Sequence, residues 1–252
     1  RSRRGFLLAW LLPLIGLMAI TVPAYRATYP DSAELEMLAV PMRANLGLRM
    51  MYGIVPEPFT FGAFAQWETG MWLALLGSVM TVLLAVRLTR AGEDDGTLEL
   101  IRSSGLPTRV PTAAAATVVG IASFLLGAGT TLALLLSRFY VEDLAVTGAI
   151  LTGAAIALTT AAGGAMGLLV AQIAGTARGA RGLGMAYVAV AFAVRAYADV
   201  REIDWLRWLS PLGWRDIVNP YSGDRVWPLV VILVVTVALM AGAVAVSGAR
   251  DL

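Results

Sequence analysis

Residues 226–249 read VWPLVVILVVTVALMAGAVAVSGA, a run of apolar and small residues with no charge. Coiled as a helix this run is about 36 Å long, enough to cross the ~30 Å hydrocarbon core of a bilayer. Working outward, the same kind of run recurs five times. One covers residues 5–25; others lie between Glu68 and Arg87, between Arg109 and Arg138, and between Asp143 and Arg178; a fifth covers 182–198, broken only by Arg195. The first run is longer than the apolar region of a signal peptide, and no small-x-small cleavage site precedes Tyr25 and Arg26, so it reads as a retained span. The sequence therefore predicts an all-α integral membrane protein with six transmembrane helices and both termini on one side.

Composition agrees with that reading and excludes much chemistry. Of 252 residues, 58% are hydrophobic and only 14% charged, with a mean hydropathy of +0.75, well outside the range of soluble domains. There is no Cys, His or Lys, so all 19 basic residues are Arg. That removes thiolate nucleophiles, imidazole bases, most zinc and haem sites, Schiff bases and the P-loop lysine. A net charge of +2 in so apolar a chain gives no electrostatic case for nucleic acid.

Arginine placement sets the orientation. The short clusters Arg1, Arg3, Arg4 and Arg178, Arg181 abut their spans, where positive charge most strongly marks the cytoplasmic side, giving N-in and C-in. All seven Trp residues fall near span ends or in the adjoining loops, as expected of amphipathic indoles at the headgroup level. Two outer loops carry helical apolar spacing. Leu35, Leu38, Ala39, Met42 and Leu46 predict an amphipathic helix interrupted or restarted at Pro41, and Trp205, Trp208, Leu209 and Leu212 predict an interfacial or re-entrant one. Both read as lids over the outer side.

One inner loop stands apart. Residues 87–109, RLTRAGEDDGTLELIRSSGLPTR, place an acidic cluster before Gly96 and an apolar segment ended by Gly105-Leu106-Pro107. Asp95 or Thr97 could cap a short helix over residues 97–103 whose apolar side, Leu98 and Ile101, invites a docking partner.

This loop resembles the cytoplasmic loop of ABC-2-type (type V) exporter permeases. Ala24-Tyr25-Arg26-Ala27-Thr28-Tyr29-Pro30, Gly175-Thr176-Ala177-Arg178-Gly179-Ala180-Arg181-Gly182, Trp208-Leu209-Ser210-Pro211-Leu212-Gly213-Trp214 and the ending Ala249-Arg250-Asp251-Leu252 resemble one branch of that family, actinobacterial exporters of polyketide antibiotics and tetronasin-like drugs. The resemblance implies a single six-helix permease domain over residues 1–252, one half of a two-half permease in a bacterial inner membrane. It implies a coupling helix that docks on a separate ABC ATPase subunit through Glu93, Asp94, Gly96, Thr97, Leu98, Glu99 and Ile101. ATP and Mg would then belong to that partner, with no cofactor, metal or catalytic residue in this chain. It further implies a second six-helix half as partner and a path lined mainly by the second and fifth spans, carrying hydrophobic small molecules or lipid-like compounds. Members of the branch carry two six-span halves, and an elbow helix precedes their first span; this chain ends where a first half would, so it reads as part of a longer protein.

Four residues are candidates for the substrate path or outer gate: Glu68 and Trp72 at the start of the second span, and Arg195 with Asp199 in the fifth. A charge inside a span must face the bundle, pair or snorkel, and the i, i+4 spacing of Arg195 and Asp199 allows a pair on one helix face. Gly163, Gly164 and Gly167 form a small-residue patch for close helix packing. An ion-coupled secondary transporter would need embedded carboxylates that the spans lack, and a membrane-embedded enzyme would find carboxylates only at or outside the interfaces.

Overall fold

The computed structural model describes residues 3–90, 107, 109–142 and 144–249. Within them, six helices are long and apolar enough to cross a membrane. In chain order the helices are α1 (Arg3–Thr28), α2 (Ser32–Arg43), α3 (Leu46–Tyr52), α4 (Phe61–Leu88), α5 (Arg109–Leu136), α6 (Val146–Ile173), α7 (Ala177–Arg201), α8 (Asp204–Trp208), α9 (Trp214–Val218) and α10 (Trp227–Ala249). The spans are α1, α4, α5, α6, α7 and α10. Each of the six expected runs became one helix, and α4 begins seven residues before Glu68.

The spans alternate in direction, which brings one set of ends together. The Arg87 guanidinium lies 5.5 Å from the Phe6 ring, Arg90 Nε donates to Ala174 O at 2.8 Å, and Gly248 packs directly on Arg109. The ends of α4, α6 and α10 and the starts of α1 and α5 therefore share one face. Arg90 answers the carbonyl of Ala174, the residue that caps the end of α6, where a cation is favoured by both hydrogen bonding and the helix dipole.

Packing ranks the spans. The apolar stretch of α6 is 67% buried and that of α4 61%, against 17% for α10. Helices α4 and α6 thus form the centre and α10 the most exposed edge. Small residues make the central contact possible. A Cβ on Gly163 would lie 3.0 Å from Ser78 Cβ, and one on Gly167 2.9 Å from Val82 Cα, so the expected glycine patch is where α6 meets α4. Thr81 Oγ1 donates to Thr160 O at 2.7 Å across the same contact, and the hydroxyls of Thr21 and Thr69 bond at 2.9 Å between α1 and α4.

The outer loops differ in detail from expectation. Pro41 lies inside α2, and the break comes later, at Asn45, whose Oδ1 accepts from Leu48 N at 3.1 Å to start α3. The second outer loop is broken into α8, a 3-10 turn over Pro211–Gly213, and α9. It is re-entrant: Ser210 Oγ donates to Ala191 O at 2.7 Å, and Pro211 O accepts from Thr159 Oγ1 at 3.0 Å. Thr159 is thirteen residues from the start of α6, which places the turn about 20 Å below that helix end at 1.5 Å per residue. Two tryptophans also depart from the expected interfacial belt. Trp67 and Trp214 are buried, donating to Gly53 O at 3.1 Å and Trp208 O at 2.9 Å, whereas Trp205 and Trp227 are exposed.

Candidate functional site

Helix α4 turns most of its surface inward and leaves one stripe half-open: Glu68, Trp72, Leu75, Leu76, Val79, Leu83 and, at the inner end, Arg87, with Leu88 also half-open in the last turn. Steps of three and four residues keep these side chains on one face along the whole crossing. Beside it, Met71, Ala74, Ala191 and Leu212 form a buried cluster that fixes α7 and the re-entrant turn against α4, with Leu75 and Phe192 packed on it. Glu68 caps the outer end of the stripe and forms no ion pair among the described residues. The arrangement is an apolar track with a carboxylate at one end and a guanidinium at the other.

Behind the outer end lies a buried ionic network. Arg195 and Asp199 are both 0% exposed, with Arg195 Nη1 3.2 Å from Asp199 Oδ2. Arg195 therefore faces the bundle and does not snorkel. Its Nη2 donates to Met50 O at 2.6 Å and Met51 O at 2.8 Å, and its guanidinium lies 5.0 Å from the Phe192 ring. Asp199 Oδ1 accepts from Arg207 Nε at 2.8 Å, and Arg207 Nη1 donates to Asp204 at 2.6 Å.

Arg215, also fully buried, is the second hub. Its Nη1 donates to Gln66 O at 2.9 Å and Trp67 O at 3.0 Å, using the spare lone pairs of carbonyls in the first turns of α4, and its Nη2 donates to Tyr52 O and Asp216 Oδ1, each at 2.8 Å. The carbonyls of Met50, Met51, Tyr52 and Gly53 are thus answered in turn by Arg195, Arg195, Arg215 and Trp67. A helix end leaves its last carbonyls without intrahelical partners, and here they are satisfied by side chains from α7, α9 and α4. Gly53 permits this convergence: its φ is +100°, and a Cβ there would sit 3.1 Å from Asp216 Oδ2 and 3.3 Å from Arg195 Nη1.

One residue of each expected pair reaches the end of α3. Trp72 contacts the Tyr52 ring edge-on, with centroids 6.4 Å apart, while Arg195 holds the carbonyls of the two residues before Tyr52. Sequence reasoning did not single out Arg207, Arg215, Asp216 or Gln66. The signal for two of them is the charged dipeptide Arg215-Asp216 inside the otherwise apolar segment Trp214–Val218. The seven residues expected to dock a partner, Glu93, Asp94, Gly96, Thr97, Leu98, Glu99 and Ile101, lie outside the described residues.

Outside the spans, a smaller clip holds α2 to the loop before α4. Glu36 accepts from Arg43 Nη2 at 2.5 Å and from Phe59 N at 2.7 Å. The Arg43 hydrogen bond first, and the Phe59 amide second, hold the Glu36 carboxyl below its usual range. Burial, with the charge of Asp224 adding to it, raises the Tyr221 hydroxyl. Among the described residues no three carboxylates gather as a metal site would require.

No protein-family model matches the chain. Over all 252 residues it is 32% identical to the multidrug efflux system permease protein Rv1217c of Mycobacterium tuberculosis, of which it spans 44%. The chain is a homologue of a bacterial efflux permease along its whole length, and with six apolar helices it is a multi-pass membrane protein.

Proposed function

We propose that this chain is one six-helix half of the permease of an ATP-driven ABC exporter, which moves amphipathic drugs, polyketide antibiotics or lipid-like compounds out of the cell. The observation that carries the reading is the end-to-end similarity to an efflux permease more than twice as long, which leaves room there for a second domain of this size. The division of labour is in keeping with the composition: these 252 residues contain no Lys and so no P-loop lysine, which supports a reading in which ATP and Mg are handled by separate ABC ATPase subunits.

In this reading the open stripe of α4 faces the second half and forms one wall of the path. Its apolar middle, Leu75, Val79 and Leu83, suits a substrate that partitions from the inner leaflet, and Glu68 with Trp72 stand where it leaves. The network around Arg195 and Arg215 holds the outer segments as one rigid cap over that exit. Motion would enter through residues 97–103, where Leu98 and Ile101 give the ATPase an apolar foothold flanked by Glu93, Asp94 and Glu99. Bilayer lipid surrounds the remaining spans, most of all α10.

Co-purification tests the coupling directly. The full-length protein is expected to hold a P-loop ATPase subunit through detergent extraction, and the double substitution Leu98→Asp, Ile101→Asp to release it while the permease stays monodisperse. Retention of the ATPase by that variant would reject the docking role of residues 93–101.

A further inference from the structure

The loop between α9 and α10 seats one aromatic ring against both central spans. Gly62 is the second residue of α4 and Gly148 the third of α6, and both meet the same edge of Tyr221. A Cβ on Gly62 would lie 2.6 Å from Tyr221 Cδ1, and one on Gly148 2.5 Å from Tyr221 Cε1. Only glycine fits at either position while the ring is there.

The seat is costly to keep. Tyr221 has a φ of +66°, a left-handed conformation that a bulky residue rarely adopts, and Asn219 and Asp224 on either side are left-handed at +51° and +46°. Asn and Asp accept that backbone readily; Tyr does not. The Tyr221 hydroxyl is buried and has no hydrogen-bond partner among the described residues, although a tyrosine near the membrane surface normally keeps its polar end wet. Opposing these costs are the packing of the ring on the core and a closed set of hydrogen bonds. Asp224 Oδ1 accepts from Tyr221 N at 2.8 Å, Asn219 O accepts from the amides of Ser222, Gly223 and Asp224, and Ser222 Oγ donates to Pro58 O at 3.3 Å. Backbone strain of this kind persists only where the surroundings hold it, and it marks segments that switch.

We infer that residues 219–224 are a conformational latch on the outer ends of α4 and α6. With Tyr221 seated, both helix ends are fixed against one ring. With Tyr221 withdrawn, the backbone relaxes, the hydroxyl is hydrated and the two ends move freely against each other. Gly62 and Gly148 are the seat, and the Asp224 carboxylate is the catch. The latch is independent of what the chain transports.

Hydrogen–deuterium exchange of the full-length protein in nanodiscs, read by peptide mass spectrometry, tests this, since amide exchange reports how often a segment opens. Tyr221→Phe keeps the ring and removes the orphan hydroxyl, so it should favour the seated state and slow exchange of residues 221–224 about five-fold. Gly148→Ala sets a methyl group against the ring and should speed the same amides about ten-fold, together with those of Ala63 and Phe64, which bond to Thr60 at the start of α4. In both variants the middle of α6 should exchange as in wild type. Tyr221→Phe decides the matter alone if the alanine variant fails to fold. Exchange of residues 221–224 in Tyr221→Phe equal to or faster than wild type, or a change of the same size throughout α6, would show a fixed wedge and overturn the latch.

Discussion

Arg215 shows how much one side chain can hold. It serves the carbonyls of Tyr52, Gln66 and Trp67 from a fully buried position, and its charge is answered by Asp216. Removing it strands the Tyr52 carbonyl and the Asp216 carboxylate and takes the second hydrogen bond from the Gln66 and Trp67 carbonyls, and breaking a buried pair in this way costs about 3–5 kcal/mol. Arg215→Ala should therefore lower the thermal midpoint sharply in detergent or nanodiscs. Arg215→Lys should recover little of the loss, because an ammonium cannot reproduce the planar fork; a Lys variant as stable as wild type would contradict the assigned geometry. Glu36 offers a test of opposite scale. Its carboxyl is held below its ordinary value of 4.5 by Arg43 and the Phe59 amide, so the folded state favours the ionised form. That stabilisation is complete above the ordinary value and disappears as pH falls through the lower, folded one. The midpoint difference between wild type and Glu36→Gln should be constant at neutral pH and vanish in acid. Arg195 was legible in the sequence because an embedded charge four residues from a carboxylate is conspicuous. Arg215 was not, because a charge in a segment that reads as an outer loop carries no such alarm until the loop is seen to fold back into the domain.

The helices themselves were legible wherever an apolar run is bounded by charges, and the departures have physical causes. Glu68 marked the expected start of the second span, yet α4 runs from Phe61 straight past it, because the carboxylate lies on the one open stripe and is not forced into the core. The restart assigned to Pro41 came instead at Asn45. A proline near a helix end removes one N–H without stopping the turn, whereas the Asn side chain caps a new one. The central α4–α6 contact rests on absent side chains, so it should be intolerant of added ones. Gly167→Val would drive atoms into Val82 and Ala85, and overpacking of this kind costs about 1–3 kcal/mol. A fall in thermal midpoint is expected at Gly167 but not at Gly120, where a Cβ would meet nothing within 4 Å. The stripe on α4 can be mapped against the same helix, since the 252 residues contain no native Cys. Single cysteines at Trp72, Val79 and Leu83 should react with a small thiol reagent, and those at Met71, Ala74 and Val82 should not. Equal labelling of both sets would remove the open track.

At the level of the whole molecule, the described residues form an ion-paired outer cap, a small-residue centre and a helix with one open face, and the buried carboxylate of Asp199 is held between Arg195 and Arg207. The path, on this account, is completed by a second half, and the energy arrives from an ATPase on the face where α1 begins and α10 ends. The most direct measurement is vectorial transport by the full-length protein reconstituted in proteoliposomes with its ATPase subunit and loaded with an amphipathic fluorescent drug. The account predicts transport that requires ATP and Mg, persists after ionophores collapse the proton and sodium gradients, and fails with the Leu98→Asp, Ile101→Asp variant. Transport that continued without ATP and stopped with the ionophores would contradict it.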